Sequence, residues 1–200
     1  MAEQIIDGTG SGQKAKVDKN KQLHVFAVTE TEQKQAALKG NEYNINTGKI
    51  ALTGTGESAV LYFKNDENTD FVITAVALGI GTRSATVTDL AEVVIYKNPT
   101  GGDVITDASA VEMKSNTNFG SSKTLKETTL AYKGKDGGTV TGGDKHALLF
   151  SGDGRLYASL NIELTRGSSC AITVDLNTSG GANVYCVLIG YVRDESNDRS

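Results

Sequence analysis

Residues 170–192 read "CAITVDLNTSGGANVYCVLIGYV". Two apolar runs flank a stretch of Asn, Thr, Ser and Gly, the composition of a turn between strands. Within the first run Cys170, Ile172, Val174 and Leu176 alternate onto one face. Within the second, Val184, Cys186 and Leu188 do the same. A period of two over so many positions argues for strands with one face in a core. With the bend near Thr178 and Ser179, the stretch predicts a β-hairpin that sets Cys170 and Cys186 on one side of neighbouring strands. That geometry leaves room for a bridge, while a reducing cytosol favours two buried thiols.

The same pattern extends outward from this stretch. "KIALTG" (49–54), "SAVLYFKN" (58–65), "FVITAVALGIG" (71–81) and "AEVVIYKN" (91–98) follow at close spacing. "KHALLFS" (145–151) and "RLYASLNIELT" (155–165) lead back to residue 170. Many short strands at such spacing indicate a sandwich or barrel. "FKNDENTDFVI" (63–73) and "YKNPTGGDVI" (96–105) echo each other, and both predict hairpins in which Asn65 and Asn98 start the turn. Between the two sets of strands, residues 107–144 are polar. They are expected to hold one or two short strands in loops and to form an interacting surface.

Upstream, "QLHVFAV" (22–28) predicts a first strand. "TETEQKQAALKG" (29–40) carries a capping box, Thr29 with Glu32, then good helix formers and a terminal glycine. One short helix is expected at about residues 30–39. Residues 1–20 lack apolar periodicity beyond Ile5 and Ile6 and read as an extended arm. The chain therefore divides into an arm (1–20) and one β-sandwich domain (21–200).

The 200 residues include 23 Gly, 1 Pro and no Trp, with a net charge of −4. An acidic balance argues against nucleic acid as the general partner, since phosphate demands a basic footprint. No apolar run approaches a membrane span, and the first residues lack a signal-peptide pattern, so the chain is expected to stay in the cytoplasm until it joins something else. The sequon Asn177-Thr178-Ser179 is without consequence in that compartment.

"DGTGSGQK" (7–14) invites comparison with a phosphate loop. Counting from Gly8, the second glycine of a P-loop falls on Gln13, and Lys14 precedes Ala15. The dinucleotide pattern fails at the same Gln13. His24 and His146 are far apart, each beside apolar strand residues, and neither has partners at metal-ligand spacing. Asp66, Glu67 and Asp70 cluster in one turn, and Asp136, Asp144 and Asp153 fall in later loops. They read as solvated turns rather than calcium ligands or a glycosidase pair. No catalytic residue, cofactor or metal is expected. The arm's Ile5, Ile6, Lys14, Lys16, Lys19 and Lys21 are the candidate partner-binding residues.

"DGTGSGQKAKVDKNKQLHVFAVT" (7–29), "NEYNINTGKIALTGTGESAVLYFKNDENTDFVI" (41–73), "VVIYKNPTGGDVI" (93–105) and "NTNFGSSKTL" (116–125) together resemble a group of tailed-bacteriophage virion proteins. The resemblance covers most of the chain. It implies a non-enzymatic capsid-associated protein, first of all a head decoration or cement protein: a β-sandwich of jelly-roll type, a homotrimer, bound to the major capsid protein on the outer surface of the head, with an extended terminus along the shell. Two rivals stay open, a tail-associated or receptor-binding jelly-roll protein and a carbohydrate-binding or hydrolytic β-sandwich.

Overall fold

The computed structural model describes residues 31–53, 56–83, 89–107, 109–152 and 154–194. The strand predicted at 22–28, Thr29 of the capping box and the whole arm lie outside them. Among the described residues the chain opens with helix α1 (Glu32–Lys39) and strands β1 (Glu42–Leu52), β2 (Ser58–Lys64), β3 (Phe71–Ile80) and β4 (Ala91–Lys97). A single helical turn follows, α2 (Asp103–Thr106), then three short strands, β5 (Ser109–Ala110), β6 (Met113–Asn116) and β7 (Leu130–Lys133). The last four are β8 (Asp144–Ser151), β9 (Gly154–Leu164), β10 (Ser169–Asp175) and β11 (Ala182–Val192).

The strands make an all-β sandwich. One antiparallel sheet has the order β6-β1-β11-β3-β9, and the other β5-β7-β2-β10-β4-β8. β1 pairs with β11, β2 with β10, β3 with β9 and β4 with β8. The two halves of the chain thus lie along each other as one long antiparallel ribbon, folded so that alternate pairs fall in opposite sheets.

This corrects the hairpin predicted at 170–192. β10 and β11 belong to different sheets, and residues 176–181 carry the chain across the sandwich. The faces were legible: Cys170, Ile172, Val174, Leu176, Val184, Cys186 and Leu188 all point into the common core. Alternation fixes which face is buried but not which strand is the neighbour. Asn177 makes the bend in a left-handed conformation (φ 47°), its N–H donating to Asp175 Oδ1 at 3.0 Å and its Nδ2 to the Leu90 carbonyl at 2.8 Å.

The two echoing segments are not hairpins either. β2 and β3 lie in opposite sheets, with Asn65 building the crossover as expected: its Oδ1 accepts from Glu67 N–H at 2.9 Å. After Asn98 the chain enters α2 rather than a strand. Gly102, at φ 107°, brings that turn so close to the neighbouring loop that a Cβ would sit 2.3 Å from the Thr139 carbonyl oxygen.

The polar stretch 107–144 holds three short strands rather than one or two. Their side chains lack the apolar alternation that marks a strand in sequence, because they pair at sheet margins. Over the second sheet's outer face, Val104 of α2, with Val140, covers Ala59, Tyr62 and Ala171. On the first sheet's outer face α1 packs Ala36 against Val72 and Tyr191. Its end matches the expected glycine signal: Gly40 (φ 71°) donates to the Ala37 carbonyl and Asn41 to that of Ala36 at 2.7 Å, satisfying two orphan carbonyls.

Candidate functional site

Among the described residues, several of the polar side chains singled out from sequence are engaged in holding loops. Glu67 is buried, which corrects its reading as a solvated turn residue. Its Oε1 accepts from Thr129 Oγ1 and from Lys126 N–H, both at 2.8 Å, and so fastens the 126–129 loop to the β2–β3 crossover. Hydrogen bonds from Thr128 and Arg166 hold the Asp66 carboxyl below its usual pKa. Asp136 accepts from Thr53 N–H at 2.8 Å.

Arg193 gathers Glu32 (2.9 Å), Glu163 (2.6 Å) and Asp70 (3.5 Å). Burial works against its charge, but the hydrogen bonds it donates to Glu163 and Glu32 outweigh it and keep the guanidinium above its usual pKa. Beside it, burial and then the Glu32 carboxylate push the Tyr191 hydroxyl up to about 12. This network joins α1, β3, β9 and the end of β11. Among the described residues no group of three His, Cys, Asp or Glu is placed to hold a metal ion.

His146 lies exposed on the edge strand β8, while Asp144 is exposed at that strand's start. His24, Asp153 and the arm residues Ile5, Ile6, Lys14, Lys16, Lys19 and Lys21 lie outside the described residues. Cys170 and Cys186 are free buried thiols, which sets aside the bridge. Burial pushes Cys170 up to about 12 and Cys186 higher still. Neither presents a thiolate near neutral pH, so neither serves as a nucleophile.

Among the exposed side chains of the described residues a few are large and apolar. Phe119 is fully exposed (100%) at a turn, and Leu38, 62% exposed, lies on the last turn of α1. The turn is built by asparagines. Asn116 Oδ1 accepts from Asn118 N–H at 2.8 Å, and Asn118 Oδ1 from Gly120 N–H at 3.0 Å. The turn is also tied to the helix end: Asn118 Nδ2 donates to the Leu38 carbonyl at 2.9 Å, and Asn116 Nδ2 to that of Gly40 at 2.6 Å. Phe119 therefore stands exposed on a turn braced against the Leu38 and Gly40 carbonyls.

An exposed large aromatic on a well-bonded turn is what a contact hot spot requires: apolar area, few rotamers to lose, and a support fixed in advance. Sequence reasoning marked 107–144 as an interacting surface without naming Phe119. The available signal was an aromatic between Asn118 and Gly120, in a turn too short to return it to the core.

Comparison with protein-family models and with curated proteins finds no match for this chain.

Proposed function

We propose that the chain is a non-enzymatic structural protein of a tailed-phage particle, a decoration protein that binds the major capsid protein on the outer surface of the head. The observation that carries this reading is Phe119, held fully exposed by the Asn116–Asn118 turn, which is bonded to the backbone carbonyl of the exposed Leu38. It supports binding because burying one Phe side chain against a partner is worth about 1.5–3 kcal/mol, available on contact without reordering the turn. The turn lies inside "NTNFGSSKTL", one of the stretches on which the phage resemblance rests.

We further infer a jelly roll. The nested pairing of β1 with β11, β2 with β10, β3 with β9 and β4 with β8, split alternately between two sheets, supports it. In such a body the Phe119 turn is tied to the end of α1, which itself packs on the first sheet, so the contact is presented in one geometry. Binding across neighbouring shell subunits would then brace the head against internal pressure.

The test is co-sedimentation with undecorated heads. Phe119→Ala and Leu38→Ala are expected to lose at least tenfold in affinity with unchanged melting temperature. Undiminished binding by both variants overturns the assignment of the contact. Copies confined to a single vertex in particle images overturn the head location in favour of the tail.

A further inference from the structure

We infer that the outer face of the first sheet binds an acidic saccharide, a pyranose carrying a carboxylate, in a slot between Tyr157 and Tyr185. Strand alternation builds the slot. Val76, Leu78 and Ile80 of β3 point into the core, as do Val184, Cys186 and Leu188 of β11. Ala77, Gly79, Tyr185 and Val187 therefore face outward. On β9 the core side is taken by Leu156 and Leu160, which turns Arg155 and Tyr157 out on the same face of the same sheet. Helix α1 packs over Val72 and Tyr191, farther along that face. At this end Tyr157 is 66% exposed and Tyr185 44%.

The register fixes the corners. Gly79 pairs with Tyr185 on one side and with Arg155 on the other. Two residues earlier on β3, Ala77 pairs with Val187 and Tyr157. The tyrosines thus stand diagonally across a floor of Ala77 and Gly79. With strands about 4.8 Å apart and about 3.4 Å per residue, their Cα atoms are about 12 Å apart. These side chains line a shallow hollow of about 330 Å³. That is the lower end of the range for small-molecule sites, roughly 300–1,000 Å³. Gly79 sets its width, since a Cβ there would already stand 3.7 Å from Tyr185 Cδ2.

Beyond Tyr185 the row continues to Lys49 of β1, and beyond Val187 to Asn46. These two residues share a face because Thr47 and Gly48 bulge between them. Gly48 (φ 66°) donates its N–H to Asn46 Oδ1 at 2.8 Å, and Thr47 Oγ1 accepts from Cys186 N–H at 3.1 Å. Bulges re-aim side chains, and this one brings an ammonium to the slot's rim. Lys49 and Arg155 are both exposed, while the ion pairs among the described residues are made by other cations. Neither row across the four strands contains an Asp or Glu.

These features select the ligand. Tyrosine offers an apolar ring with a hydroxyl at its tip, which suits a pyranose with C–H faces and a hydroxyl rim. Arginine receives a carboxylate through two parallel N–H···O bonds. A nucleic acid needs a track of cations along its phosphates, whereas these rows hold two and the chain carries −4. A wholly apolar occupant would bury Lys49 and Arg155 without a counter-charge. The slot is separate from the Phe119 turn, which joins this sheet through Asn116 opposite Tyr43, toward the other end of β1. Saccharide binding therefore stands or falls independently of head binding.

The full chain is tested on an array of glucuronate-, galacturonate- and sialate-bearing oligosaccharides beside neutral oligosaccharides, with oligothymidylate as the nucleic-acid probe. Acidic saccharides are expected to bind at least about tenfold better than either comparison. Tyr157→Ala removes one platform and Gly79→Leu fills the floor. Each is expected to lower that binding by about tenfold or more with an unchanged circular-dichroism melt. Arg155→Gln is expected to remove most of the preference for acidic over neutral saccharides. No acidic saccharide bound, equal binding of neutral ones, stronger binding of oligothymidylate, or full binding by both Tyr157→Ala and Gly79→Leu overturns the inference.

Discussion

Phe63 and Phe71 meet in the middle of the sandwich with ring centroids 4.6 Å apart and planes tilted by 49°. They come from β2 and β3, in opposite sheets, at the two ends of the crossover that Asn65 builds. Both are completely buried. The pair joins the layers at the point where the chain passes between them. Phe63→Ala removes one ring and leaves a cavity that backbone on two sheets cannot collapse to fill. The expected cost is about 3–5 kcal/mol, read as a lower midpoint in urea denaturation with an unchanged slope. A loss below about 1 kcal/mol would show that the pair contributes little beyond area.

Glu67 ties the same crossover to the 126–129 loop. Glu67→Ala leaves the Thr129 hydroxyl and the Lys126 N–H without this acceptor, and Thr129 is fully buried. Leaving buried donors unsatisfied costs about 1–3 kcal/mol. Glu67→Gln keeps an acceptor oxygen in place and is expected to recover most of the loss in the same denaturation experiment. Equal destabilisation by the two variants would assign the role to charge instead of to the hydrogen bonds.

The contrast between these positions and the crossovers shows what sequence could carry. Strand placement was legible at eight segments because short apolar or alternating runs bounded by turn residues mark strands whether one face is buried or, as in β2 and β10, both, and Gly40 announced the helix end because few residues tolerate its φ of 71°. Pairing was not legible. "LNTSGGAN" has the composition of a hairpin turn and equally that of a crossover between sheets, since both need residues that bend and bond locally. Phe119 is a lone aromatic within the polar stretch 107–144, and what holds it outside the core is the bonding of Asn116 and Asn118, which composition does not reveal.

The thiols give a prediction about pH. Burial raises Cys170 from its ordinary 9.0 to about 12 and raises Cys186 in the same direction. In the unfolded chain each thiol ionises near its ordinary value, so above that pH the unfolded state holds fewer protons than the folded one. Stability contributed by the buried neutral thiols is therefore whole below about pH 9 and falls as pH rises toward 12. Tyr191, raised to about 12, adds to the loss above its own ordinary value of 10.0. Denaturation midpoints are expected to fall from pH 9 to pH 11. An Ellman reagent should find no reactive thiol at pH 8 until denaturant is added; prompt reaction in the native state would contradict the burial of both.

The arm and the Phe119 turn are separable by salt. If Lys14, Lys16, Lys19 and Lys21 bind an acidic shell surface, their contribution weakens as ionic strength rises and the Debye length falls from about 10 Å at 0.1 M to about 3 Å at 1 M. An apolar contact through Phe119 and Leu38 is not screened in this way. Deleting residues 1–20 is therefore expected to abolish head binding in moderate salt, to leave the melting temperature unchanged, and to flatten the salt dependence of whatever binding persists at high protein concentration. Phe119→Ala is expected to weaken binding by a similar factor at every salt concentration. Undiminished binding by the truncated chain removes the arm from the mechanism. A salt slope equally steep with and without residues 1–20 places the electrostatic contact on the sandwich instead.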